Sequence, residues 1–199
     1  MEWYEDDVKA VIEERSGCPY DPKTIFYGSS SIRLWGSLYD DFKEYLPVNL
    51  GFGGSTLAAC VWFFDRIVAP VKHPQILILY AGDNDLGDGR HPQEVLIFFR
   101  EFMADFRKHY PQIPFYYISI KPSLSRAGII EEIIETNSLI STEIENSSGN
   151  DHFVDIYSKM INGDGKPVAS YFEDDGLHLN PAGYQIWKNV ILNQVFRKL

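Results

Sequence analysis

Seven consecutive residues, Gln75-Ile-Leu-Ile-Leu-Tyr-Ala81, constrain this chain more than any other stretch. The run has the length of a strand and, past its first residue, no polar face, so a strand built from it must be covered on both sides. The centre of a parallel sheet lying between two layers of helices meets that condition. Four further runs fit the same scheme: Thr24–Tyr27 after the Pro22 punctuation, Pro47–Leu50, Pro114–Ile120 and Phe153–Ile156.

Between these runs the apolar period changes to that of helices. Val95, Phe98, Phe99, Phe102 and Phe106 mark one helical face, and Ile130, Ile133, Ile134, Ile140 and Ile144 another, in which Asn137 reads as a hydrogen-bonded core amide. The aromatic trio Trp62-Phe63-Phe64 reads as core packing in a further helix. Asn180 is expected to cap a last helix that has Pro181 at its first position and turns Ile186, Trp187, Val190 and Ile191 inward. This alternation predicts the α/β class: one domain over residues 1–199, a three-layer α/β/α sandwich on five parallel strands. The doubly wound order 2-1-3-4-5 is expected, with a crevice between strands 1 and 3.

Charge narrows the partners. Eighteen basic against 28 acidic residues give a net charge of −10, which opposes binding to a nucleic-acid backbone or an anionic membrane. No apolar stretch approaches the ~20 residues of a membrane span. Met1-Glu-Trp-Tyr-Glu-Asp-Asp7 has neither the basic start nor the apolar run of a secretory signal, and Cys18 and Cys60 make no disulfide framework. A cytoplasmic location is therefore expected.

Four short segments fall where strands end: Gly28-Ser-Ser-Ser31, Gly51-Phe-Gly-Gly54, Gly82-Asp-Asn-Asp85 and Asp175-Gly-Leu-His178. Strand C-termini of a parallel sheet open onto one crevice, so residues distant in sequence meet there. Ser30 lies on a turn from strand to helix, where an activated nucleophile must be exposed, although serines at such junctions are more often plain N-caps. Of the five histidines, His178 alone has an acid at the offset of Asp175, which suits an imidazole held in one tautomer by a carboxylate. Glu173 and Asp174 are less well spaced acids, and an Asp-x-x-His pair is equally a local loop bond or half of a metal site. Gly54 and Asn84 supply a closely approaching backbone N–H and a side-chain amide for an oxyanion, or serve as turn residues.

Other motifs fail on their own chemistry. Asp83-Asn-Asp-Leu-Gly-Asp-Gly89 begins like a calcium loop, but Gly87 stands where a ligand is needed and Asp88 where glycine is needed. There is no Gly-x-Ser-x-Gly elbow, no zinc spacing, and no phosphate-loop lysine after Gly54.

Taken in this order, the segments from Gly28 to His178 resemble the blocks of the SGNH hydrolase superfamily, the GDSL esterases and lipases. The resemblance implies Ser30 as nucleophile, His178 as base and Asp175 as its orienting acid. The Ser30 and Gly54 amides and the Asn84 side chain would form the oxyanion hole. It further implies a flavodoxin-like fold, no cofactor, and a small-molecule carboxylic ester as substrate, acetylated sugars and short-chain esters among them. Ser29 departs from the family's aspartate at that position. Two alternatives share the same residues: acyl transfer to an alcohol, and a non-catalytic module binding an anionic ligand at the amides around Ser30. Only the catalytic readings need His178 within reach of Ser30 with Asp175 behind it. Trp35, Phe52, Tyr171 and Phe172 are candidates for the crevice wall or for core, and residues 121–128 for a second rim.

Overall fold

The computed structural model describes residues 1–147 and 149–198. Strands β1 (Thr24–Gly28), β2 (Pro47–Gly51), β3 (Ile76–Tyr80), β4 (Phe115–Ile118) and β5 (Asp151–Val154) form one parallel sheet in the order β2-β1-β3-β4-β5, as the sequence predicts. Around it lie α1 (Glu5–Gly17), α2 (Ser30–Arg33), α3 (Leu38–Asp41), α4 (Leu57–Trp62), α5 (Phe64–Ile67), α6 (Asp83–Gly87), α7 (Pro92–His109), α8 (Ile130–Glu145) and α9 (Pro181–Gln194).

Alternation along the strands divides the interior in two. Ile25, Tyr27, Leu77, Leu79 and Tyr117 face a core completed by α1, α4, α5, α7 and α8, whereas Phe26, Ile78, Tyr80 and Ile118 face one completed by α2, α3 and α9. Every residue of β3 is buried, so the double cover inferred from its apolar run is present. Asn137 is the expected core amide: its Oδ1 accepts from the Ile120 N–H at 2.7 Å and its Nδ2 donates to the Ile120 carbonyl at 2.9 Å, fastening α8 to the chain leaving β4. Asn180 caps α9, accepting from Ala182 and Gly183 N–H groups.

Three expectations need correction. β5 lies two residues earlier than Phe153–Ile156, because Arg107 of α7 pairs with Asp151 and His152 stacks on Tyr116 at 4.6 Å, which accommodates polar residues on an edge strand. Beyond Val154 the Ile156 and Tyr157 N–H groups turn to the Ser119 hydroxyl and leave the ladder. Ile134 is half exposed and Ile130 only partly buried; Thr136 and Asn137 take the inward positions of α8 instead. Trp62 is 67% exposed at the end of α4, while Phe63 and Phe64 enter the core. Cys18 and Cys60 are both free thiols. Among the described residues no helix is long and apolar enough to cross a membrane.

Candidate active site

The crevice between the ends of β1 and β3 begins with Gly28. It has φ +134°, and a Cβ there would lie 1.8 Å from the Tyr80 carbonyl oxygen, so only glycine lets β1 run this close to β3 and then turn. The next N–H, of Ser29, bonds that same carbonyl at 2.9 Å, and the Ser29 carbonyl accepts from Ile32 and Arg33 to start α2. Ser29 is thus a backbone N-cap whose side chain makes no capping bond. Ser30, at the first position of α2, turns its Oγ to His178 Nε2, 3.1 Å away.

His178 comes from the loop before α9. Its Nδ1 lies 2.5 Å from Asp175 Oδ2, and Asp175 Oδ1 accepts from the Leu177 and His178 N–H groups at 2.8 and 2.9 Å. One carboxylate therefore folds its own loop and orients the ring. These bonds, the Leu177 amide first and the imidazole next, hold the Asp175 carboxyl down at about 2. Glu173 contributes its N–H to the His178 carbonyl, and Asp174 makes no pair with the ring.

On the opposite side, the loop after β2 is pressed against α2: a Cβ on Gly51 would meet the Arg33 N at 2.4 Å. Phe52 is wholly buried among Tyr4, Tyr27 and Phe63, and Tyr4 donates to the Gly54 carbonyl at 3.0 Å. Gly54 sits at φ +64°, and among the described residues neither its N–H nor that of Ser30 has an acceptor within the chain. Asn84 uses one hydrogen of Nδ2 on the Ser55 carbonyl at 3.0 Å, leaving the other available. Ser30, Gly54, Asn84, His178 and Asp175 are in this way brought to one end of the sheet.

Three groups escaped the sequence reading. Asp85, fully buried, accepts from the Leu57 N–H at 2.6 Å and faces Arg90 at 3.4 Å, tying the Asn84 segment to the start of α4; burial pushes its carboxyl up to about 6. Tyr4, which orients Gly54, lies too far away in sequence to be suspected. Lys121, placed in a rim by its position in the chain, is in fact buried and paired with Asp83. Asp83 and Asp85 are thereby committed to protein partners. Trp35, Phe52 and Phe172 are core residues, 2%, 0% and 6% exposed, so the crevice wall is not theirs. Leu124, 43% exposed, stands instead beside Gly176 of the histidine loop.

Residues 24–186, a span running from β1 into α9 and including all five strand ends, match the model of the GDSL-like lipase/acylhydrolase family. The chain belongs to this family. As a GDSL-like acylhydrolase it is a hydrolase of the esterase or lipase type. Similar solved structures include a Streptococcus pneumonia protein (TM-score 0.85, 21% identity, 96% of this chain and 94% of that one). A GDSL-like lipase from Bacteroides thetaiotaomicron follows at 0.78, 20%, 97% and 98%. A family 3 carbohydrate esterase from Talaromyces cellulolyticus follows at 0.72, 16%, 89% and 99%. These identities speak for a shared three-layer fold. Among the curated proteins none matches the chain.

Proposed function

We propose that this GDSL-like hydrolase cleaves small carboxylic esters through an acyl-enzyme on Ser30. The observation that carries the reading is the line from Ser30 Oγ to His178 Nε2 and from His178 Nδ1 to Asp175, which a binding module does not need. Ser30 Oγ bonds to the ester carbonyl carbon while its proton passes to Nε2. The tetrahedral oxyanion is met by the Ser30 and Gly54 N–H groups and by Asn84 Nδ2. Collapse expels the alcohol, which takes the proton from His178. Water, deprotonated by the same nitrogen, then attacks the acyl carbon and releases the acid, restoring Ser30. Asp175 keeps the imidazole in one tautomer and balances its charge.

The setting favours a short acyl group. Asp175 and His178 side chains are 49% and 29% exposed, and the large aromatics nearby are committed to the core, so the crevice is open and has little apolar wall. One esterase among the structural neighbours acts on carbohydrate by name, and an acetylated sugar fits an open crevice of this kind. With p-nitrophenyl acetate as substrate, Ser30→Ala should lower turnover by about 10³-fold or more, as members of such a triad act as a unit. An organophosphonate should label Ser30 covalently. Activity in the wild type should decline as the acyl chain is lengthened from acetate to decanoate. Wild-type rates in the alanine variant would overturn the assignment of Ser30, and a preference for decanoate would overturn the short-acyl reading.

A further inference from the structure

Lys121 follows the apolar residues of β4 at the end of the sheet that holds the crevice, and the reaction described above leaves it unused. It is 1% exposed. Its Nζ donates to Asp83 Oδ2 at 2.9 Å and to the Tyr80 hydroxyl at 3.2 Å. Asp83, itself 4% exposed, takes a second cation through Arg126 Nε at 3.1 Å. The Tyr80 phenol is completely buried, and the carbonyl of the same residue accepts from the Ser29 N–H at 2.9 Å. A line of hydrogen bonds thus runs beneath the crevice from the Ser29 N–H through Tyr80 and Lys121 to Asp83. One end adjoins the nucleophile Ser30 in sequence, and the other adjoins Asn84.

We propose that Lys121, with Asp83 and Tyr80, is a positioning device that sets the distance between Ser30 and the Asn84 amide. The proposal rests on the serine-esterase reading. Tyr80 is the last residue of β3 and Asp83 the first of α6, separated by Ala81 and by Gly82 at φ +115°. A bond from each to a single ammonium closes that turn, and the start of α6 is what aims Asn84. Packing alone gives no reason for a lysine here, because apolar replacement of a buried ion pair is often neutral or stabilising. What such a replacement loses is directionality: the three donors of an ammonium fix two oxygens at set distances, which a methionine side chain cannot do. An oxyanion donor displaced by even a fraction of an ångström loses its advantage in the transition state first, where the charge develops.

The test compares the wild type with Lys121→Met and with the charge-matched double variant Asp83→Asn/Lys121→Met, measured as kcat and KM on p-nitrophenyl acetate beside thermal melts. The double variant leaves no unpaired carboxylate, so it remains informative if the single one fails to fold. A fall in kcat of about 10- to 100-fold with KM within twofold is expected in the double variant at near wild-type Tm, together with slower organophosphonate labelling of Ser30. A double variant turning over within twofold of wild type would overturn the positioning role, as would a loss confined to KM. Labelling of the wild type separates the two levels. If the wild type is not labelled at Ser30, the serine reading itself fails; if it is labelled and the double variant is fully active, only Lys121 loses its role.

Discussion

Asn84 is the residue whose two possible roles differ most in what they predict. Half of its amide is held by the Ser55 carbonyl, which fixes the side chain without exhausting its donors. As an oxyanion donor, its replacement by alanine should lower kcat by about 10²–10³ with little change in KM. As a turn residue only, the variant would melt early and turn over normally per folded molecule, so kinetics and melts run together decide. Asp175 shows how a surface carboxylate is kept ionised: two amides and an imidazole hold it at about 2, well under its ordinary 3.8. A depressed carboxyl contributes stability in full above its unfolded value and loses that contribution as pH falls through the folded one, here between about 3.8 and about 2. Asp175 should therefore stay charged over the whole range from neutral pH down to about 4. In Asp175→Asn the rate should drop at every pH, and the stability difference from wild type should shrink between pH 4 and pH 2.

Among the elements, the segment from Phe52 to Thr56 is held by its neighbours rather than by any regular structure of its own. Phe52 anchors it in the core, Tyr4 and Asn84 each bond one of its carbonyls, and Asp85 receives the Leu57 amide at its end. Asp85 does this at a cost, because burial outweighs the Leu57 amide and Arg90 and raises its carboxyl to about 6. A raised carboxyl takes up its proton in the folded state first, so its contribution to stability declines as pH rises from about 3.8 through about 6. Asp85→Asn retains an acceptor for Leu57 and removes the charge. Its stability relative to wild type should therefore be more favourable at pH 8 than at pH 4.5, by about 1–3 kcal/mol. Asp85→Ala removes the acceptor as well, and should lower kcat by about tenfold by releasing the loop that carries Gly54. Equal stability differences for Asp85→Asn at both pH values would mean that folding does not raise the Asp85 carboxyl.

At the scale of the molecule, the sheet was legible because the six apolar residues from Ile76 to Ala81 have few ways to be buried, and because a parallel neighbour to them needs helices on both sides. The ends of β1, β2 and β3 were legible for a related reason: serine, glycine and asparagine follow them, and a doubly wound sheet sends these ends to one crevice. The Asp-x-x-His pair, expected at a strand end, reaches that crevice instead from the loop before α9, well past β5. Local apolar pattern was a poorer guide where one long-range partner outweighed it. Arg107 makes Asp151 acceptable in β5, and Trp62 is left outside while Phe63 and Phe64 enter the core. The sequence by itself determined the class of fold, the strand order and the chemical types present at the crevice, since these follow from periodicity and from what each side chain is able to donate or accept. Only the tertiary structure decided that His178 Nε2 comes within 3.1 Å of a serine 148 residues away, that Trp35 and Phe52 turn to the core, and that Lys121 is buried against Asp83. The physical reason is that burial and hydrogen-bond geometry belong to pairs of distant residues, and the environment that gives a lysine or an aspartate its role is supplied by chain lying far away in sequence.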